Sequence, residues 1–260
     1  MTADPVQAGD RVSDCVARHG WEPLVAAAHR HGVTGCLWGA VRAGGLEGVA
    51  GAEPLRTAHF DSLGRHLRTL SDLAVIEDCL RSAGVEFCVV KGPVLAEIIY
   101  ARPDLRSYVD LDLVVLPADL AAALSSLEQA GHVVLDCNWT LMQRLRIGQV
   151  RLLTPAGTMV DLHWHLLNDQ TLRSEFALDR ARWVPGLRRV RVGTASVQTL
   201  DPVMTLIHLG VHGALAGGHR LVWIKDVEQS VRNESPDWDQ VCRAARAAGA
   251  GPPLALMLHR

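Results

Sequence analysis

Two aspartates stand two residues apart inside an otherwise apolar run, YVDLDLVVL at 108–116. Alternation along a strand puts residues i and i+2 on one face, so Asp110 and Asp112 point together while Leu111, Leu113 and Val115 point the other way. Adjacent like charges repel, and the arrangement needs a cation or a partner to offset the cost. A hard divalent ion such as Mg²⁺ accepts one or two carboxylates and leaves its other positions to water and phosphate oxygens. Upstream, VEFCVV at 85–90 reads as a strand that ends at Lys91-Gly92-Pro93. Gly92 permits a tight turn, and Pro93 suits the first position of a helix. VLAEIIYA then carries that helix until Arg102-Pro103-Asp104 breaks it. Free N–H groups at the helix start suit phosphate, so a phosphate cradle and cation-binding carboxylates fall on consecutive elements.

A second informative stretch lies at 159–166, MVDLHWHL, read as a strand paired through Pro155-Ala156-Gly157 with QVRLLT before it. Alternation there groups Asp161, His163 and His165 against Leu162, Trp164 and Leu166. If this strand lies beside 108–116, Asp161 joins Asp110 and Asp112.

The K-G turn, a helix ending in I-Y, an arginine, D-x-D on an apolar strand and VDLHW after it together resemble the uncharacterised nucleotidyltransferases of the polymerase-β-like superfamily. The likeness covers residues 70–166 well and weakens toward Val231. It implies an α+β fold: a small mixed β-sheet core with flanking N-terminal helices and a helical C-terminal part. It implies that Asp110, Asp112 and Asp161 are catalytic and hold Mg²⁺ or Mn²⁺, and that Lys91 and Gly92 hold phosphate. An NTP, with ATP expected, would be the donor, and Asp161 would serve the acceptor hydroxyl. The acceptor itself, a small molecule, peptide or protein, is not written in the sequence. Arg106, four residues before Asp110, is expected at the site, paired with Asp110 or touching phosphate. The wider superfamily carries G-S where this chain has K-G. Gly92 has no side chain and Pro93 no N–H, so phosphate binding leans on Lys91 and fewer amides.

Composition narrows the alternatives. Lys+Arg 26 against Asp+Glu 28 gives a net charge of −2, without the basic surplus that nucleic-acid binders carry. Lysine occurs only at Lys91 and Lys225, which makes Lys91 more informative. Six scattered cysteines without C-x-x-C spacing argue against a disulfide framework or a thiolate zinc site. No apolar run reaches membrane-spanning length, and the polar start around Asp4 and Asp10 lacks leader character, so the cytoplasm is the expected compartment.

The rest of the chain reads in order. A loose tail covers 1–9, then short helices run to about Arg42. One long helix covers Glu53 to Ser82, with Leu63, Leu67, Leu70, Leu73, Ile76 and Leu80 at helical spacing. After the D-x-D strand come a helix closed by Gly131, a strand HVVLDC, a short helix NWTLMQRLR and the hairpin above. A polar helix spans Thr171 to Arg182, and a second hairpin has Gly193 at its tip. From Asp201, an N-cap followed by Pro202, the pattern is helical to the end at Arg260, where the resemblance implies further helix. The expected divisions are 1–83, 84–200 and 201–260.

His208, His212 and Asp226 fall in the last part. The H-x-x-x-H spacing puts both histidines on one helix face, where they would line a cleft against the sheet. Two other classes compete with transfer: a non-catalytic nucleotide- or partner-binding module, and a metal-dependent hydrolase built on Asp161, His163 and His165.

Overall fold

The structure, a computed structural model, describes residues 5–260. Three helices come first: α1 (Pro5–His19), α2 (Trp21–His31) and α3 (Thr34–Ala43). Residues 5–9 belong to α1, so the expected tail does not hold there; the remainder of that stretch lies outside the described residues. The long helix α4 (Glu53–Ser82) has the bounds its periodicity implies. Its inner face is more polar than the leucine spacing suggests. His59, His66, Thr69 and Asp72 are buried beside Leu73, Ile76 and Leu80, whereas Leu67 is 59% exposed. The polar groups find partners. Thr154 donates to Asp72 at 2.8 Å, and the His66 ring bridges the Tyr108 hydroxyl at 2.9 Å and Glu97 at 3.1 Å. Buried polar atoms satisfied this way fix one packing of α4 on the core.

The core follows as β1 (Phe87–Val89), α5 (Pro93–Ile98), β2 (Asp110–Val115), α6 (Leu120–Gln129), β3 (Val133–Val134), α7 (Trp139–Leu145), β4 (Gln149–Leu153) and β5 (Met159–His163). The polar helix expected over 171–182 is instead two short helices, α8 (Gln170–Glu175) and α9 (Arg180–Trp183). The chain between them is extended at Phe176, whose φ is −117°. β6 (Arg188–Val192) and β7 (Ala195–Thr199) form the second hairpin. α10 (Pro202–Leu215), α11 (Leu221–Glu234), α12 (Trp238–Ala247) and α13 (Gly251–His259) complete the chain. The Asp201 side chain caps α10 by accepting from the Met204 amide at 2.7 Å.

All the strands join one mixed sheet in the order β3-β4-β5-β2-β1-β7-β6. β2 runs antiparallel to β1 and parallel to β5, and β7 adds to β1 in parallel. The apolar face of β2 and β5, with Leu111, Leu113, Val115, Val160 and Leu162, packs with Leu73, Ile76 and Leu80 of α4 and with α6. The opposite face packs through Val90 and Val114 with α10, α12 and α13. The sheet is thus covered by helices on both faces, the α+β arrangement expected. Asp110, Asp112, Asp161 and His163 emerge on the second face, which is where the helices leave room. Among the described residues no helix is long and apolar enough to cross a membrane.

Candidate active site

The site is built by register. β2 and β5 pair so that Asp112 lies opposite Asp161 and Val114 opposite His163. Asp112, Asp161 and His163 bring ligand atoms within 4.8 Å of one another. Asp110, one pleat earlier on the same face, lines the same cavity. The three expected carboxylates therefore line one cavity, with His163 grouped beside Asp112 and Asp161. β5 ends at His163, so His165 does not share the expected face; its Nδ1 accepts from the Leu167 amide at 3.1 Å. Leu166 likewise turns into the core beneath the C-terminal helices, while Trp164 packs on the α4 side.

The Lys91 ammonium lies 2.9 Å from Asp112 Oδ1, and the His163 Nε2–H donates to the same oxygen at 3.2 Å. Burial penalises both partners of the ion pair, yet each is held charged by the other. Lys91 stays above its ordinary value because of Asp112. Asp112 stays well below the usual carboxylate range because of Lys91 and His163. Asp110 has no such partner. Burial, then the charge on Asp112, pushes it up to about 6. Asp161 is raised for the same two reasons and accepts only a long contact, 3.4 Å, from Gln149. A site with more negative charge than its protein cations neutralise is set to take another cation.

The turn before α5 explains why glycine replaces the serine of the wider superfamily. Gly92 adopts φ 55°, ψ −125°, and a Cβ there would meet the Asp110 carbonyl oxygen at 2.9 Å. Its close approach to β2 is what brings Lys91 over Asp112. The Val94 amide donates to the Lys91 carbonyl at 3.3 Å, so fewer amides are free at this turn than a bare helix start would offer.

Arg106 does not pair with Asp110. Its guanidinium forms a bidentate pair with Asp226 at 2.8 Å for both bonds and donates to the Gly92 carbonyl at 3.0 Å. Tyr100 donates to the same carboxylate at 2.7 Å. Arg106 and Asp226 thus tie the K-G turn to α11. His208 and His212 face the carboxylates from α10 and line the cavity, as their spacing suggested. Both are neutral. Burial first, then Lys91, lowers His208; Lys91 first, then burial, takes His212 down to about 3.

Sequence reasoning missed Gln149, Arg65 and Arg220. Gln149 was within reach, because the hairpin register sets it opposite His163 with its side chain on the Asp161 face. The two arginines meet the site only through tertiary packing.

Acidic side chains on neighbouring parallel strands of a mixed sheet, a lysine at the preceding turn and a cavity above them make up the candidate site. The chain belongs to the uncharacterised nucleotidyltransferase family, which matches residues 18–260, and is a nucleotidyltransferase by that membership. No curated protein matches it. Similar solved structures include ANT(2")-Ia in complex with adenylyl-2"-tobramycin, at 10% identity and TM-score 0.49 over 69% of this chain and 96% of that one. An antigenic nucleotidyltransferase-like protein from Paracoccidioides brasiliensis is similar at 16% identity and TM-score 0.43, over 73% and 91%. The lincosamide antibiotic adenylyltransferase LnuA, lincomycin-bound, is similar at 14% identity and TM-score 0.42, over 62% and 96%.

Two outcomes follow. Gly92→Ser forces a side chain into a left-handed turn against backbone. It should lower stability by about 1–3 kcal/mol and weaken phosphate binding, despite restoring the residue of the wider superfamily; unchanged urea unfolding would contradict the turn geometry. For Asp110, a folded value raised to about 6 means that its ionised form destabilises the fold. The penalty is absent below the unfolded value of about 3.9 and complete above the folded one. Asp110→Asn should therefore stabilise the metal-free protein at about pH 8, with a gain that vanishes as the pH falls toward about 4. Thermal unfolding across that range checks it, and a gain independent of pH would contradict it.

Proposed function

We propose that the protein is a metal-dependent nucleotidyltransferase that moves a nucleoside monophosphate from an NTP, with ATP as the expected donor, to a hydroxyl or similar group of an acceptor. The observation that carries this reading is the register of Asp112 opposite Asp161, with Lys91 on Asp112 and Asp110 on the same face, at the floor of a cavity of about 860 Å³. The donor set fits a hard divalent ion such as Mg²⁺ or Mn²⁺: carboxylates converge, and the protein's own cations leave Asp110 and Asp161 without a salt bridge. Asp110, Asp112 and Asp161 would hold it, with His163 as an additional donor. Such an ion, when bound, offsets the charge of the triphosphate and of the leaving pyrophosphate.

The residues divide the remaining work. Lys91 sits on Asp112 in the structure, and its ammonium would be the protein's own cation for phosphate oxygens beside this carboxylate. Asp161 lines this cavity alone, whereas Asp110 and Asp112 also line the neighbouring one beside Gly92, which makes Asp161 the carboxylate placed to accept a proton from an incoming hydroxyl. Neutral His208 and His212 offer hydrogen bonds without adding charge. The cavity walls mix Leu145, Ile147, Leu166 and Leu215 with Gln149, Asn168 and Thr171. A cleft of this size and mixed lining suits a small molecule with an apolar body and hydroxyl groups better than a protein surface. Against a hydrolase built on D-x-H-x-H stands the capture of His165 by the Leu167 amide.

The test uses NTP, Mg²⁺ and a lysate of the native host as acceptor source, with pyrophosphate as readout. Chelation and Asp112→Asn should each abolish release. Asp161→Asn should keep Mn²⁺–nucleotide binding near the wild-type value and slow transfer by about 10²–10⁴-fold. A binding module would release no pyrophosphate at all, and a hydrolase centred on Asp161 would lose its metal with that substitution.

A further inference from the structure

The cavity system divides at the carboxylates. The larger chamber, about 860 Å³, is bounded by α7, β4, β5 and the chain into α8. A smaller one, about 420 Å³, is bounded by α2, α4 and the start of α11. Lys91, Asp110, Asp112 and His212 line both. Asp161 lines only the larger, whereas Gly92 and Arg106 line only the smaller.

The smaller chamber carries two arginines that face no carboxylate. Arg65, on α4, donates to the Tyr108 carbonyl at 3.4 Å. Arg220, just before α11, donates from Nε to the Arg30 carbonyl at 3.2 Å and lies 5.5 Å over the Trp223 ring. Neither has an ion-pair partner among the described residues, and both are half-buried. Ser107, in the same wall, has a buried hydroxyl without a hydrogen-bond partner. The acids of this chamber are otherwise engaged or set apart: Asp226 is held by Arg106 and Tyr100, Asp110 and Asp112 belong to the cation site, and Asp61 lies beyond ion-pair reach of Arg65. Guanidinium groups with unspent N–H donors, fixed by carbonyls and an aromatic face, are receptors for phosphate oxygens. The larger chamber differs in character. Asp161 and Asp169 stand in its wall, and its unpaired arginine, Arg144, is exposed at the rim.

We propose that the smaller chamber holds the polyphosphate tail of the donor, with Arg65 and Arg220 as phosphate ligands and Ser107 beside them, and that the acceptor enters through the larger chamber. The proposal rests on the transferase reading and deepens it. In-line displacement requires the attacking and leaving oxygens on opposite sides of the phosphorus. Two chambers that meet at the carboxylates and diverge from there provide that arrangement. The acceptor oxygen forms its bond to the α-phosphorus from the Asp161 side, and its proton passes to Asp161. The bond from the α-phosphorus to the bridging oxygen breaks, and the electron pair leaves with pyrophosphate toward Arg65 and Arg220. The N-terminal helices are thereby part of the active site.

Calorimetry with inorganic tripolyphosphate and Mg²⁺ tests the assignment on the full chain. Arg65→Gln and Arg220→Gln should each weaken binding about tenfold, with Mn²⁺ affinity and melting temperature near wild type. Arg65→Lys and Arg220→Lys should recover part of the loss, which guards against a folding defect. In the transfer assay the glutamine variants should raise KM for NTP and leave KM for the acceptor unchanged. Tripolyphosphate that binds equally to wild type and both glutamine variants, or does not bind wild type, overturns the assignment. Nucleotide transfer indifferent to both arginines removes this site and leaves the transferase reading intact. Arginine-dependent tripolyphosphate binding without transfer from any NTP keeps the site and removes that reading.

Discussion

A carboxylate as buried as Asp112, 3% exposed, survives as a charge only with a cation beside it, and Lys91 supplies one at 2.9 Å. That contact sets demands on everything around it. Lys91 reaches Asp112 because the chain turns through Gly92 against the backbone of β2, a path closed to a side chain. Asp112 in turn sits beside Asp161 because β2 and β5 pair in parallel, which places two strands far apart in sequence in one register. Asp110 and Asp161 are left without a salt bridge, and this excess of negative charge is the electrostatic basis of the proposed cation site.

The C-terminal helices belong to the same network. Arg106 holds Asp226 on α11 with one edge of its guanidinium and the Gly92 carbonyl with a third bond, so the turn that positions Lys91 is fastened to the helices that roof the cavity. Removing one partner of a pair this buried typically costs about 3–5 kcal/mol, because the other charge is left unanswered. Lys91 also keeps His212, and with burial His208, neutral. The roof therefore presents uncharged hydrogen-bonding groups to the cavity.

Local patterns carried the elements whose cause is local. Alternation in YVDLDLVVL placed Asp110 and Asp112 on one face and Leu111, Leu113 and Val115 on the other, and leucine spacing gave the bounds of α4. What alternation could not show is where a strand stops: β5 ends at His163, which parts His165 from Asp161. Helical spacing likewise could not show that His59, His66 and Asp72 replace part of an apolar face, because their partners Asp104, Tyr108, Glu97 and Thr154 come from other elements. Arg106 was expected near Asp110 from its place in the chain, and its guanidinium goes elsewhere. Its true partner, 120 positions away, was not legible. Arg65 and Arg220 carried no local signal at all.

The central claim is that the α-phosphate group moves. Parallel incubations with NTP labelled at the α- or the γ-phosphate, with Mg²⁺ and an acceptor mixture, measure this directly. The α-label should appear on the acceptor, and the γ-label should leave as pyrophosphate. Label from the γ position on the acceptor, or γ-label released as free phosphate while the acceptor stays unmodified, would contradict it.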